Sequence, residues 1–104
     1  MTMVKSGVRI AELEEGKPRG IELNGVRMAL FIKDGKVYVI NSVCKHKGGP
    51  LEEGKLEGYE IVCPWHAARY DIRSGKGSKD TPWGADTETY KAEAGSDGEV
   101  LIEV

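Results

Sequence analysis

Ile21-Glu22-Leu23-Asn24-Gly25-Val26-Arg27-Met28-Ala29-Leu30-Phe31-Ile32-Lys33-Asp34-Gly35-Lys36-Val37-Tyr38-Val39-Ile40 reads as strand, turn, strand, turn, strand. Gly20 to Leu23 and Val26 to Met28 alternate apolar and polar residues, the two-residue period of a strand with one face in a core. Asn24-Gly25 between them suits the positive φ angles of a type I′ hairpin turn. Ala29 to Ile32 prolongs the second strand. Asp34-Gly35 marks another tight turn, and Val37 to Ile40 forms the third strand. The stretch predicts a β-meander.

Outward from this meander the pattern stays β. On the N-terminal side, Val8-Arg9-Ile10 predicts a first strand and Glu14 to Arg19 a polar connection. On the C-terminal side, Leu51 to Val62 is hairpin-like. Glu52-Glu53-Gly54-Lys55 and Glu57-Gly58 are its turn signals, with Glu52-Glu53 read as a solvated turn. Tyr59 to Val62 is a strand, and Tyr70-Asp71-Ile72 is a short one ending at Arg73-Ser74-Gly75. Lys76 to Glu88 is the least regular part, with Trp83 as a candidate anchor. Glu88 to Ala94 and Glu99 to Val104 predict a C-terminal hairpin around Ser96-Asp97-Gly98, with Val100, Ile102 and Val104 on one face. Fourteen glycines punctuate these runs, and no helix of length is evident. The expectation is an all-β fold of antiparallel sheets in a single domain, residues 1–104.

The bulk numbers narrow the function. At 104 residues the chain suffices for one domain with a modest core. A formal charge of −2 and a pI near 5.7 carry no sign of a nucleic-acid partner. The longest apolar run, Met28 to Ile32, is far short of the ~20 residues of a membrane helix. Met1-Thr2-Met3-Val4-Lys5 has no hydrophobic signal core. A cytoplasmic monomer that binds neither membrane nor nucleic acid is expected. In that compartment a disulfide between the two cysteines is disfavoured.

Both cysteines and both histidines of the chain lie in two segments. The first is Cys44-Lys45-His46-Lys47-Gly48-Gly49-Pro50-Leu51, and the second is Cys63-Pro64-Trp65-His66-Ala67-Ala68-Arg69-Tyr70. Sixteen residues separate His46 from Cys63. Each segment follows a strand. Cys44 and His46 are two apart, and Cys63 and His66 are three apart around Pro64, a spacing typical of a metal-binding knuckle. Two such loops at the tips of adjacent hairpins bring two thiolates and two imidazoles together. One occupant that suits them is a tetrahedral Zn²⁺ in a structural module. The other is a [2Fe–2S] cluster with two cysteines on one iron and two histidines on the other. Ligand type alone does not separate the two, although the pairing of one Cys with one His in each loop differs from the usual zinc finger.

Cys44-x-His46 with Gly48-Gly49-Pro50-Leu51, followed by Cys63-Pro64-Trp65-His66, resembles the Rieske iron–sulfur signature. Gly54, Gly58 and Arg69 to Gly75 resemble their counterparts in Rieske-type ferredoxins. The likeness spans nearly the whole chain, with the cluster-binding part at about 41–75. It implies a Rieske-like fold, a [2Fe–2S] cluster, Cys44 and Cys63 on one iron, and His46 and His66 on the other. It also implies an electron carrier between a reductase and an oxygenase or other acceptor. The alternative within the family is the small Rieske-like subunit of a complex such as nitrite reductase. The sequence departs from high-potential relatives of respiratory complexes. Their inter-loop disulfide has Gly49 and Trp65 at its positions here. Their serine, which bonds a bridging sulfide, is matched by Ala68, and their tyrosine, which bonds a ligating sulfur, by Tyr70. The glycine that follows the last ligand is Ala67. Trp65 itself stands to cover the cluster or to pack, and Lys45 and Lys47 stand where an acidic partner would dock.

With two thiolates and two neutral imidazoles the oxidised cluster is neutral overall, whereas four thiolates leave it doubly negative. Adding an electron to the neutral form costs less in a low-dielectric pocket, so histidine ligation raises the potential. Hydrogen bonds to the sulfurs raise it further by stabilising the reduced state. Ala68 removes one donor of that kind. The expected midpoint potential therefore lies in the lower part of the roughly −150 to +300 mV Rieske range. Protein-film voltammetry measures it, and a value near the upper end would overturn the argument.

Overall fold

The structure, a computed structural model, describes residues 3–42, 50–65, 67–78 and 86–103. Ten strands are formed by these residues: β1 Met3–Arg9, β2 Arg19–Leu23, β3 Val26–Lys33, β4 Lys36–Asn41, β5 Lys55–Glu57, β6 Glu60–Val62, β7 Arg69–Asp71, β8 Thr89–Tyr90, β9 Ala92–Ala94 and β10 Glu99–Glu103. They build three antiparallel sheets, ordered β1-β10-β9, β2-β3-β4-β8 and β5-β6-β7. The only helical elements among the described residues are two 3-10 turns, Ile10–Glu12 and Leu51–Glu53.

The central sheet is the predicted meander. Asn24 and Gly25 have φ of 52° and 78°, and Asp34 and Gly35 have 52° and 77°. These are the left-handed conformations that a two-residue hairpin turn requires, and Asn, Asp and Gly tolerate them best. β3 and β4 pair from Met28↔Asn41 to Lys33↔Lys36.

Met28, Ala29, Leu30 and Phe31 are all fully buried, so β3 does not alternate. The cause is packing on both faces. Ala29 and Phe31, with Ile40 of β4, join a core with Leu51, Ile61, Cys63, Ala68, Tyr70 and Ile72. Met28 and Leu30, with Val39 of β4, join the opposite core with Val8, Leu13, Val100 and Ile102. A sheet covered on both sides demands a continuous apolar run.

Three sequence expectations change. The first strand begins at Met3 rather than Val8, and Ile10 opens a turn. Its partner is β10, at the other end of the chain, and the register shifts between Lys5 and Arg9, around Gly7 with φ 81°. Neither the remote partner nor the bulge leaves a local signal. The 88–94 run divides between two sheets. Thr89 and Tyr90 pair with β4, whereas Ala92 to Ala94 pair with β10. The C-terminal hairpin is thus shorter than read, although Val100 and Ile102 do share the buried face. Val104 lies outside the described residues, as does Trp83. Lastly, Glu52 is not part of a solvated turn, for reasons given below.

The third sheet is fastened to the meander by side chains. The Tyr59 hydroxyl donates to Asp34 Oδ2 at 2.5 Å. Its ring meets Tyr38 edge-on at 6.0 Å, and the Arg73 guanidinium lies 4.1 Å from the ring centroid. The bond to Asp34 pushes the phenol up to about 12, so it stays a donor at ordinary pH. Beyond β7, Arg73 folds back on Asp71, donating Nε at 3.1 Å and Nη2 at 2.9 Å. Those bonds hold the Asp71 carboxyl below its usual value. Gly75 then adopts φ 75°, and a Cβ there would fall 2.2 Å from the Thr87 carbonyl oxygen. Only glycine allows that approach, which returns the chain to the central sheet.

Between β6 and β7 the chain turns through an exposed residue, Ala67, with φ 57°. A left-handed alanine costs about 1–2 kcal/mol, while glycine loses about 0.4–1 kcal/mol through its freer unfolded chain. The strain wins, since an exposed methyl leaves no cavity. Ala67→Gly is therefore expected to stabilise the protein by about 1 kcal/mol or less. Thermal unfolding of the holoprotein measures this, and a lowered midpoint would contradict it.

Candidate metal centre

The second Cys/His segment occupies the tip of the β6–β7 hairpin. The ladder pairs Val62 with Arg69. One step further, the Cys63 N–H donates to the Ala68 carbonyl at 2.8 Å. That bond closes the end of the hairpin, where Pro64, Trp65 and Ala67 take turn conformations. Inside it the Trp65 N–H points at Cys63 Sγ, 3.4 Å away. A backbone donor aimed at sulfur stabilises negative charge there, the arrangement a metal-bound thiolate requires.

Alternation along the hairpin sets which side chains face inward. Ile61, Cys63, Ala68 and Tyr70 are all buried on the inner face, while Val62 and Arg69 lie between them with more exposure. The Ala68 methyl is sealed in the core at the position where the Rieske resemblance puts a hydroxyl donor. Tyr70 is fully buried opposite Ile61. Trp65 is 50% exposed and so does not pack into the core. Across the outer face, Arg69 donates to Glu57 of β5 at 2.8 Å and reaches Glu60 of β6 at 3.5 Å, tying β7 to the rest of its sheet.

Of the expected ligands, Cys63 is among the described residues. Cys44, His46 and His66 lie outside them, as do Lys45, Lys47, Gly48 and Gly49. The feet of the first segment are described. This segment does not sit at a hairpin tip. It leads from β4 of the central sheet to the 3-10 turn before β5 of the third sheet. Its feet are joined by the Leu51 N–H, which donates to the Ser42 carbonyl at 2.7 Å. Leu51 and Ile40 from this neck share one core with Cys63, Ala68 and Tyr70 of the hairpin. Both segments thus rise from the same packed base, which is how one metal group would receive ligands from each.

Local sequence reading missed a polar latch at that neck. Ser42 is fully buried, and its hydroxyl donates to Glu52 Oε1 while accepting the Glu52 N–H at 3.2 Å. Arg27 of β3 donates to Glu52 Oε2 at 2.5 Å. Burial alone would push the Glu52 carboxyl up, but the Ser42 and Arg27 bonds outweigh it and hold the group below its usual value. Two adjacent glutamates after Pro50-Leu51 carry no local sign that only the first is enclosed. The buried polar position of Ser42 beside the ligand segment was the available clue.

Cys63 thus fits the thiolate ligand of an iron–sulfur cluster: a buried sulfur at the base of a tight loop, facing a backbone donor. Known proteins agree with this geometry. The family model of the Rieske [2Fe-2S] domain matches residues 6–91. The ferredoxin component of the naphthalene 1,2-dioxygenase/salicylate 5-hydroxylase systems of a Ralstonia species is 37% identical over 79 residues, 76% of this chain and 75% of that protein. The ferredoxin of carbazole 1,9a-dioxygenase from Nocardioides aromaticivorans IC177 superposes with a TM-score of 0.89 at 25% identity, covering 98% of this chain and 97% of that one. A protein described as a putative NADH-dependent nitrite reductase small subunit from Mycobacterium tuberculosis has a TM-score of 0.82 at 20% identity, covering 99% of this chain and 94% of that one, a likeness of fold. With the fold, the hairpin-tip cysteine and these matches in agreement, the chain belongs to the Rieske [2Fe-2S] domain family.

Proposed function

We propose that the chain is a ferredoxin that carries single electrons from a reductase to an oxygenase. The observation that carries this reading is the β6–β7 hairpin tip, with Cys63 Sγ under the Trp65 N–H, in a chain of Rieske fold and family. The naphthalene and carbazole systems, whose ferredoxins are similar to this chain, name dioxygenases as the systems served. That supports an oxygenase as acceptor. A reductase donor, a monomeric state and a cytoplasmic site complete the proposal. Among the described residues no helix is long and apolar enough to cross a membrane.

In this reading Cys44 and Cys63 hold one iron, and His46 and His66 hold the other. The bound cluster supplies a one-electron couple. The chain's own residues position and tune it. The β6–β7 hairpin orients Cys63, and the Trp65 N–H offsets negative charge on its sulfur. Tyr70, buried on the inner face, would add a donor to the cluster, while the Ala68 methyl offers none. Catalysis belongs elsewhere in the system. An oxygenase site needs a mononuclear iron with two further histidines and a carboxylate, and the two histidines of this chain are both assigned to the cluster. Family membership sets aside the structural-zinc reading. A second reading, the small subunit of a nitrite reductase, draws on likeness of fold alone. Co-purification of a partner at fixed stoichiometry would favour it.

Metal analysis tests the assignment. About two irons and two acid-labile sulfides per chain are expected, with a red-brown chromophore that Cys63→Ser abolishes. A colourless protein with one zinc would refute it. The reduced protein is expected to support turnover by a Rieske oxygenase, and a stable free monomer unable to do so with any oxygenase tried would exclude that acceptor class. For Tyr70→Phe, voltammetry should show a lower midpoint potential at unchanged iron content. An unchanged potential would mean that the phenol makes no bond to the cluster.

A further inference from the structure

The latch at the neck of the first ligand segment has no part in the electron-transfer reading so far. Glu52 lies just after that segment and Ser42 just before it. Its carboxylate accepts from the Ser42 hydroxyl on one oxygen and from Arg27 of β3, at 2.5 Å, on the other. Ser42 is fixed a third way, since its N–H donates to the Arg27 carbonyl at 2.9 Å. The Glu52 side chain is only 18% exposed although its partner Arg27 is half in solvent. Room for it is made by Gly20 of β2, where a Cβ would fall 2.6 Å from Glu52 Cγ and 3.0 Å from its Cβ. Three separate stretches of chain, at Gly20, Arg27 and Ser42, therefore converge on the Glu52 side chain. Surface ion pairs are cheap to lose. A carboxylate that satisfies a buried hydroxyl is not, because its removal leaves that hydroxyl unpaired.

We propose that Glu52 is a positioning residue for the cluster, locking the two feet of the segment that carries Cys44 and His46 to the central sheet. The proposal rests on the Rieske reading of those ligands. Ser42 is two residues from Cys44, and the neck bonds fix both ends of the intervening segment relative to β3. The same core that holds Leu51 holds Cys63. Glu52 therefore ties the feet of that segment, Ser42 and Leu51, to β3 and to the core that also holds Cys63. Partners that orient metal ligands from outside the coordination sphere act in this way, and their loss costs roughly 10–100-fold in metal retention or activity.

The experiment uses the holoprotein and follows cluster loss to the iron chelator bathophenanthroline, the midpoint potential and the EPR spectrum of the reduced state. Glu52→Ala is expected to lose iron on the order of tenfold faster, with shifted g values and a shifted potential. Glu52→Gln keeps an oxygen for the Ser42 hydroxyl and should fall between it and wild type. Gly20→Ala leaves the carboxylate in place but crowds its stem, and should move the same three readouts. Val100→Ala serves as the control. It opens the opposite core and should lower thermal stability while leaving EPR and potential unchanged. Glu52→Ala and Gly20→Ala that match Val100→Ala, destabilised with wild-type EPR, potential and iron retention, would overturn the proposal. A wild-type protein without a [2Fe–2S] spectrum would instead overturn the Rieske reading, and the proposal with it.

Discussion

Burial of β3 on both faces is the constraint on which the rest of the structure depends. Met28 and Leu30 point into one core, and Ala29 and Phe31 into the other. Full burial of each large side chain contributes about 1.5–3 kcal/mol, so this strand alone supplies much of what a small domain needs. It also dictates the layers. One face must be covered by the sheet that joins the two ends of the chain, β1 with β10. The other must be covered by the three-stranded sheet that ends in the Cys63 hairpin. The Cys63 hairpin is thereby mounted on a sheet that is itself half of a core.

That mounting explains the electrical character of the site. A hairpin tip at the rim of a packed sheet places a sulfur where its inner side is apolar and its outer side meets backbone donors. Cys63 has both, the buried flank shared with Ala68 and Tyr70 and the Trp65 N–H at 3.4 Å. In such surroundings each hydrogen bond to sulfur counts for more than it would in water. Ala68 presents a methyl, with no hydrogen-bonding group, to this buried flank. The half-exposed indole of Trp65 stands at this tip.

The two ligand segments are held by different physics. The β6–β7 tip is held by a regular ladder extended by the Cys63–Ala68 backbone bond, at the expense of a left-handed Ala67. The neck of the first segment joins two sheets, and among the described residues no ladder pairs β4 with β5 across it. Its feet are tied by the Leu51–Ser42 backbone bond and by the Ser42–Glu52–Arg27 side-chain chain. Where regular secondary structure cannot close a neck, a buried polar group with all its bonds satisfied is the alternative.

The sequence by itself determined the meander, its two hairpin turns and the β character of the rest, and it singled out two Cys/His segments as candidates for metal binding. Those features rest on local rules: two-residue alternation, the φ preferences of Asn-Gly and Asp-Gly, and the chemistry of Cys and His at short spacing. Tertiary structure decided what depends on remote partners. It paired Met3–Arg9 with β10, divided 88–94 between two sheets, and turned Glu52 from an apparent surface residue into the clasp of Ser42 and Arg27. The physical reason is range. A turn is determined by the residues within it, whereas an edge pairing or a buried carboxylate is stabilised by groups far away in the chain, and no local pattern records where those groups will stand.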